Sequence, residues 1–145
     1  MKPSPSESLL FLINEILDLT KIEAGQLELF ITSFDLRQVI EDAVDSVASR
    51  ALRKGLEICY FFDPRSRSSL NGDPDRLRQI LLNLLSNAIK FTKQGQVCVV
   101  VDQEELTGTH ATFRFKVYDS GIGISESGQK KLFARFSQVD SSTTR

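Results

Sequence analysis

The spacing of apolar residues along the chain predicts three long helices. In the first, over about residues 6–24, apolar positions recur every three or four residues, Ser6 caps the start and Gly25 ends the helix. The second is predicted over about 36–54 with Asp35 as its N-cap, and the third over 75–92. The first helix is apolar on two neighbouring stripes, so it is expected to pack against a partner helix, the following domain, or both. The expected core face of the second helix consists of Val39, Ile40, Ala43, Val44, Val47, Ala48, Ala51 and Leu52.

Alternating positions and short apolar runs predict the strands. Leu27, Leu29 and Ile31 alternate with polar neighbours, and the run LEICYFF at 56–62 is typical of a buried strand. The runs QVCVVVD and ATFRFKVYD, joined by a Thr-Gly loop, are expected to form an antiparallel pair. Turns are indicated by DP at 63–64 and NGD at 71–73. The chain thus divides into a short leader, one long helix and a mixed domain.

The third helix carries a narrow polar stripe. At about 100° per residue, one arc holds Arg76, Gln79, Asn83, Asn87 and Lys90. Amide oxygens suit a hard cation and an ammonium group suits a phosphate, so the stripe suggests a surface for a metal ion and phosphates. An ordinary amphipathic helix explains the pattern equally well. The expected apolar borders are Leu77, Ile80, Leu81, Leu84, Ala88 and Phe91 on one side, and Leu82 and Ile89 on the other.

A second candidate site follows the last predicted strand. Asp119 opens the motif DSGIGI, in which Gly121 and Gly123 allow a tight turn and close approach of the backbone to a ligand. A buried carboxylate there is suited to accept a hydrogen bond from an exocyclic amine such as that of adenine, although DSG is also a common turn. Farther on, Phe133 and Phe136 share a helical face and precede a run of hydroxyl residues, which is typical of core residues followed by a mobile loop.

Composition narrows the class without indicating the activity. The chain has 145 residues, 41% hydrophobic and 26% charged, as expected for one globular domain with a small accessory segment. A formal charge of −1 gives no electrostatic reason to expect nucleic acid or an anionic membrane as a partner. The segment has neither an 18-residue apolar stretch nor a signal-peptide layout, so it is expected to be soluble and cytoplasmic, although a longer parent protein could be membrane-anchored. Cys59 and Cys98 are expected to be buried, reduced thiols.

The order of these motifs resembles one family over almost the whole chain, the sensor histidine kinases and especially the hybrid kinases. The segment LINEILDLTKIEAGQLEL is similar to the second helix of the family's dimerisation bundle and its exit into the catalytic domain. NLLSNAIKFT resembles the N box, DSGIGI the G1 box, and LFARFSQVDSSTTR the F box and the start of the ATP lid. The resemblance divides the chain into a leader (1–5), the bundle helix (6–25) and an ATP-binding catalytic domain (26–145).

This resemblance implies a fold and a set of ligand contacts. The fold is an α+β, two-layer α/β sandwich of the Bergerat type, shared with DNA gyrase, MutL and large ATP-driven chaperones, and preceded by one long helix. Asn87, with Asn83 beside it, is then expected to bind Mg²⁺, while Lys90 contacts the phosphates of ATP. Asp119 is expected to contact the adenine amino group. The remaining implied contacts are Phe91, Gly121, Gly123 and Ile124 at the nucleotide pocket, and Phe133 and Phe136 as anchors of the lid.

The same resemblance indicates parts that this segment lacks. The family's phosphoacceptor histidine lies in an H box on an earlier helix, and His110, the only histidine here, is expected to be an exposed loop residue. The family's glycine-rich G2 box would follow Arg145. The isolated chain is therefore expected not to phosphorylate itself, to bind ATP weakly, and to associate through its first helix and uncovered sheet.

Three functional classes remain open at this point. The first is the ATP-binding part of a kinase that, when complete, passes phosphate from ATP to a histidine and on to the aspartate of a response-regulator receiver domain. The second is a non-catalytic dimerisation or regulatory module with weak or no nucleotide binding. The third is another ATPase of the same fold, such as a topoisomerase or chaperone relative. The segments KIEAGQLEL and FSQVDSSTTR favour a kinase over the third class.

Overall fold

The helices and strands are defined by a computed structural model, which describes residues 5–130. The three long helices lie within one residue of their expected ends. Helix α1 begins at Pro5, so Ser6 lies in its first turn and does not cap it, contrary to expectation. In chain order the elements are α1 (Pro5–Glu23), β1 (Thr32–Asp35), α2 (Leu36–Arg53), β2 (Glu57–Phe62), β3 (Ser69–Gly72), α3 (Pro74–Phe91), β4 (Gln96–Thr107), β5 (His110–Asp119) and α4 (Glu126–Gln129).

The main sheet has three strands in the order β2-β4-β5. Strand β2 runs parallel to β4, and β4 pairs with β5 as an antiparallel hairpin, as the sequence predicted. A separate two-stranded ribbon pairs β1 with β3. Helices α2 and α3 pack against each other and cover one face of the main sheet. The expected two-layer α/β sandwich is therefore confirmed.

The core lies between the two helices and the covered face of the sheet. Helix α3 contributes Leu81, Leu85, Ala88 and Ile89. Strand β4, the central strand, contributes alternate residues because successive side chains point to opposite faces. These strand residues are Val97, Val99 and Val101, and α2 adds Leu36, Val39, Ile40, Ala43, Val44, Val47 and Ala51.

Two aspartates set the starts of α2 and α3. The Asp35 carboxylate accepts a hydrogen bond from the Gln38 backbone nitrogen at 3.2 Å, as expected for an N-cap. Asp73 caps α3 through the Arg76 backbone nitrogen at 3.0 Å, ahead of a proline in the first turn. Its second carboxylate oxygen accepts from the Phe30 backbone nitrogen at 2.9 Å. Asp73 thus ties the segment after α1 to the start of α3, and these backbone hydrogen bonds lower its pKa.

The prediction of a strand around Leu27, Leu29 and Ile31 is wrong. Regular pairing begins only at Thr32, because the partner strand β3 ends opposite it at Gly72. The dipeptide Asn71-Gly72, expected to form a turn, instead closes β3. The short β1–β3 ribbon was missed because a four-residue strand carries too little alternation to be recognised.

The buried faces of two helices also differ from expectation. Leu52 was assigned to the core of α2 but is 78% exposed, because it points away from the face on which Val47 and Ala51 are buried. Ile80, Leu84 and Phe91 were expected on the apolar arc of α3, yet all three are exposed. The face that α3 buries against α2 and the sheet is centred on Leu85 instead.

Strand β2 was expected to be buried, but it forms an edge of the sheet. Only Phe62 is fully buried, whereas Tyr60 and Phe61 are exposed. Cys59, predicted to be buried, is exposed, while Cys98 is partly buried. Both cysteines are free thiols, as predicted. The sheet face opposite the helices therefore presents part of its surface to solvent.

Candidate nucleotide site

The C-terminal end of α3 meets the loop that follows β5. Gly121, in this loop, lies very close to the end of α3. A Cβ atom on this residue would be 2.7 Å from the Phe91 carbonyl oxygen and 2.7 Å from Asp119 Oδ1. Such distances leave no room for a side chain. Gly123 differs, since its φ is +69° with open space around it, so it is needed for the turn. The first glycine of the motif thus permits contact with α3, and the second redirects the chain.

Asp119 ends β5 at the edge of this contact. Its side chain is exposed, so the expectation of a buried carboxylate is wrong. Oδ1 accepts a hydrogen bond from the Gly121 backbone nitrogen at 2.9 Å. Within residues 5–130 no donor bonds to Oδ2, so this oxygen is free to accept a hydrogen bond from a ligand.

Thr92, the residue after α3, was not singled out by sequence reasoning. It is fully buried, and its hydroxyl has no hydrogen-bond partner in the described part of the chain. The hydroxyl oxygen lies 3.0 Å from the position that a Cβ of Gly121 would occupy. An unpaired buried hydroxyl costs about 1–3 kcal/mol, so a partner from outside the chain would offset that cost. No pattern in the sequence marks this threonine, because its burial depends on the loop that packs over it.

Two further residues hold the site together and also escaped sequence reasoning. Lys54 Nζ donates to the carbonyl oxygens of Ile89 at 2.6 Å, Lys90 at 3.0 Å and Thr92 at 3.3 Å. These carbonyls lie at the end of α3, where backbone acceptors lack helical partners. Ser120 Oγ accepts from the Gln96 backbone nitrogen at 3.0 Å and joins the end of β5 to the start of β4.

The polar stripe on α3 is divided between two environments. At its N-terminal end, Arg76 Nη2 donates to Asp18 Oδ1 on α1 at 3.0 Å, and Gln79 Nε2 lies 3.3 Å from Asp18 Oδ2. Asn83 lines the same cleft, whose volume is about 480 Å³. Asn87 and Lys90, farther along, are exposed. They precede the end of the helix, where Phe91 and Thr92 contact Gly121 in the loop after Asp119.

Arg76 and Gln79 change the electrostatics of Asp18. Their hydrogen bonds, with the Arg76 bond the larger cause, lower the pKa of the Asp18 carboxyl. Arg76 Nη1 also donates to Gln79 Oε1 at 2.9 Å, so the three polar side chains form one network. The network attaches α1 to the N-terminal part of α3.

The remaining expected residues have different positions. The Lys90 ammonium lies 5.1 Å from the centre of the Phe91 ring, within range of a cation–π contact. Ile124 is exposed just beyond the turn. Phe133 and Phe136 lie outside the described residues. His110 is exposed, as expected, but it is the first residue of β5 and not a loop residue. Among residues 5–130 there is no group of three or more His, Cys, Asp or Glu side chains arranged to hold a metal ion.

A two-layer sandwich in which the end of one helix packs against an aspartate-glycine loop, with amide and ammonium side chains on the same helix, indicates a nucleotide-binding class of protein. The sequence profile of the "Histidine kinase-, DNA gyrase B-, and HSP90-like ATPase" family matches residues 72–145. The chain belongs to this family. It carries an ATP-binding domain of the sensor histidine kinase type, and the resemblance given by the sequence motifs is confirmed.

The similar curated proteins are much longer than this chain. Hybrid signal transduction histidine kinase B of Dictyostelium discoideum is 45% identical over 137 residues, which cover 94% of this chain and 7% of that protein. The sensor protein GacS of Pseudomonas syringae pv. syringae is 45% identical over 140 residues, 97% of this chain and 15% of that protein. The chain therefore corresponds to a small part of the length of these relatives.

One solved structure is similar to this chain in sequence as well as in fold. Full-length ShkA in complex with AMPPNP superimposes with a TM-score of 0.71 at 32% identity, covering 83% of this chain and 25% of ShkA.

None of the helices in the described range combines the length and the apolar character needed to cross a membrane.

Proposed function

We propose that this chain is the ATP- and Mg²⁺-binding portion of a hybrid-type sensor histidine kinase. In this proposal residues 6–25 belong to the second helix of a dimerisation bundle and residues 26–145 to the catalytic domain. The single observation that carries it is the packing of Gly121, which also adjoins Asp119, against Phe91 and Thr92 at the end of α3. A relative at 32% identity has been solved with AMPPNP, an ATP analogue, which supports a nucleotide as the ligand.

The residues at the contact fit an adenine. Asp119 Oδ2 would accept a hydrogen bond from the exocyclic amine, and a carboxylate is a strong acceptor for such a donor. The unpaired hydroxyl of Thr92 needs a polar partner next to the same aspartate, either from the base or through a bridging water. Phe91, Gly121 and Ile124 would line the pocket around the base.

The side chains of Asn83, Asn87 and Lys90 on α3 fit the phosphates and the metal ion. Mg²⁺ usually takes only one or two protein oxygens and completes its coordination with phosphates and water, so Asn87 and Asn83 suffice as protein ligands. Lys90 would offset the negative charge of the phosphates, while Phe133 and Phe136 would anchor the lid. When bound, ATP supplies the γ-phosphoryl group, which in the complete kinase passes to a histidine and then to a receiver aspartate.

The nature of the ligand can be tested directly on the 145-residue chain. NMR titration with Mg-ATP, which detects even millimolar binding, should shift the backbone amides of Thr92, Gly121 and Gly123 and the side-chain amide of Asn87. Titration with Mg-GTP should not, because guanine presents a carbonyl where adenine has its amine. Shifts that are equal for both nucleotides, or that lie away from these residues, would contradict the proposal.

A matched pair of variants assigns the role of Asp119. Asp119→Asn replaces an acceptor oxygen by an amide donor and should weaken ATP binding at least about tenfold, since a hydrogen bond to a charged group contributes about 1.5–3 kcal/mol. Asp45→Asn makes the same change in charge at an exposed position on α2 and should leave the affinity unaltered. Equal affinities of the two variants would remove Asp119 from the site.

A second candidate function, a dimerisation module, is favoured by one observation on α1. Its described apolar side chains are exposed: Leu9, Ile13, Ile16, Leu17, Leu19 and Ile22. Such a surface on a single helix is suited to a second helix, which supports a homodimer through α1. This function is compatible with nucleotide binding, and the oligomeric state of the chain tests it independently of the nucleotide.

A further inference from the structure

The two cysteines lie directly opposite each other on neighbouring strands. In the parallel pairing of β2 with β4, Cys59 is the register partner of Cys98. Strands in a sheet are about 4.7–4.9 Å apart, and disulfides span Cα atoms separated by about 4.4–6.8 Å. The backbone therefore already holds the two residues at a separation that a disulfide can bridge.

Both side chains lie on the face of the sheet that the helices leave uncovered. Val97 and Val99, on either side of Cys98, are buried against the helices, so the alternation of β4 directs Cys98 to the opposite face. Cys59 is exposed on that face, and so are Phe61 and Tyr118. An oxidant in solution therefore has access to Cys59, with Cys98 beside it.

The environments of the two thiols differ in a way that suits a stepwise reaction. Burial, together with a hydrogen bond to Cys59, raises the pKa of Cys98 to about 11. Cys98 is therefore protonated at neutral pH and reacts poorly with an external oxidant. Cys59, which is exposed, is the residue through which a reaction would begin.

We propose that Cys59 and Cys98 form a reversible dithiol–disulfide site that fastens the edge strand β2 to the central strand β4. The oxidant is a small disulfide of the glutathione class. The Cys59 thiolate attacks one sulfur of that disulfide and releases one thiol, which leaves a mixed disulfide on Cys59. Cys98 then loses its proton to the solvent, and its thiolate attacks the Cys59 sulfur and displaces the second small thiolate, which takes up a proton. One small disulfide and two cysteine thiols thus become one protein disulfide and two small thiols.

The site is tested by titrating the folded chain with buffers of reduced and oxidised glutathione. After free thiols are blocked with N-ethylmaleimide, intact mass spectrometry should show the two thiols disappearing together, with a loss of two hydrogens and no bound glutathione. Peptide mapping without reductant should then link the peptides that contain Cys59 and Cys98. A chain that keeps one glutathione on Cys59 while Cys98 remains alkylatable would overturn the proposal, and so would disulfide-linked dimers.

Two variants separate the roles of the thiols. Cys98→Ser should stop at the mixed disulfide on Cys59, whereas Cys59→Ser should leave Cys98 reduced in the same buffers. Cys98→Ala, with its fold verified by circular dichroism, should behave as Cys98→Ser does, which excludes an effect of the serine hydroxyl. Ready glutathionylation of Cys98 in the Cys59→Ser chain would contradict the assigned order of reaction.

The structural consequence is tested by hydrogen exchange. In the oxidised wild-type chain the amides of β2 should exchange more slowly than in the reduced chain, and dithiothreitol should reverse the change. The Cys98→Ser chain, treated in the same way, should show no such protection. Protection that is equal in both chains would mean that no link between the strands had formed.

Discussion

Gly121 occupies a position where a side chain has no room. Alanine there would place its Cβ 2.7 Å from both the Phe91 carbonyl and the Asp119 carboxylate, so one of these groups must move. We expect Gly121→Ala to lower the free energy of unfolding by about 1–3 kcal/mol in urea denaturation. The matched control is Gly108→Ala in the β4–β5 hairpin, where a Cβ meets nothing within 4 Å and stability should change little. Equal effects of the two substitutions would refute the contact.

Substitutions of Thr92 distinguish an effect on stability from an effect on ligand binding. Thr92→Val removes a buried hydroxyl that has no partner in residues 5–130, so the free energy of unfolding should stay the same or rise by about 1 kcal/mol. The same change should weaken Mg-ATP binding several-fold, because the hydroxyl that would bond to the ligand or to a bridging water is lost. Thr92→Ser keeps the hydroxyl and should retain the affinity. A clear loss of stability in Thr92→Val would show that the hydroxyl is already bonded within the protein.

At the scale of elements, Lys54, the residue that follows α2, holds the end of α3. Lys54→Met keeps most of the aliphatic chain but removes the donor to three carbonyls, and we expect a loss of about 1–2 kcal/mol. Hydrogen exchange should become faster in the last turn of α3. Lys93→Met, at an exposed position just past the helix, is the control and should be nearly neutral. Unchanged exchange in the Lys54 variant would show that the lysine is not needed there.

The attachment of α1 to α3 should depend on pH in a defined direction. Arg76 and Gln79 lower the pKa of Asp18 below its usual value of 3.8, so the folded state favours the charged carboxylate. The contact therefore contributes fully above pH 3.8 and is lost as the pH falls through the lowered pKa. Hydrogen-exchange protection of α1 should follow this course, and Asp18→Asn should abolish the dependence. Protection that falls already well above pH 3.8 would assign it to other groups.

At the scale of the whole molecule, the exposed apolar side of α1 predicts self-association. Ile16→Lys places a charge in the middle of that surface and should convert a dimer to a monomer in light scattering coupled to size exclusion. Leu52→Lys makes a comparable change at an exposed apolar residue on α2 and should leave the dimer intact. A wild-type chain that is monomeric at high concentration would reject the dimerisation function and leave the nucleotide proposal untouched.

Sequence reasoning recovered the elements whose signals are long and regular. Helices α2 and α3 have 18 residues each, enough turns for a 3.6-residue period to show, and Asp35 marks the start of α2 as a cap should. The β1–β3 ribbon and the exposure of β2 were not recovered, since they depend on which strand is available as a neighbour. Of the candidate site, the motifs on α3 and after β5 were singled out as separate groups whose roles stay predictions, and nothing local showed that Phe91 and Gly121 touch.

The sequence by itself determined the type and limits of the long helices, the β4–β5 hairpin, and the membership in a kinase family through motifs in a fixed order. These follow from periodicity, caps and motif spacing, which are local properties of a chain. Only the tertiary structure decided that Gly121 packs on the end of α3, that Thr92 is buried without a partner, that Lys54 holds three carbonyls, and that Cys59 faces Cys98. Each of these is a contact between segments far apart in sequence, and such contacts depend on how layers pack and strands pair, which no local pattern encodes.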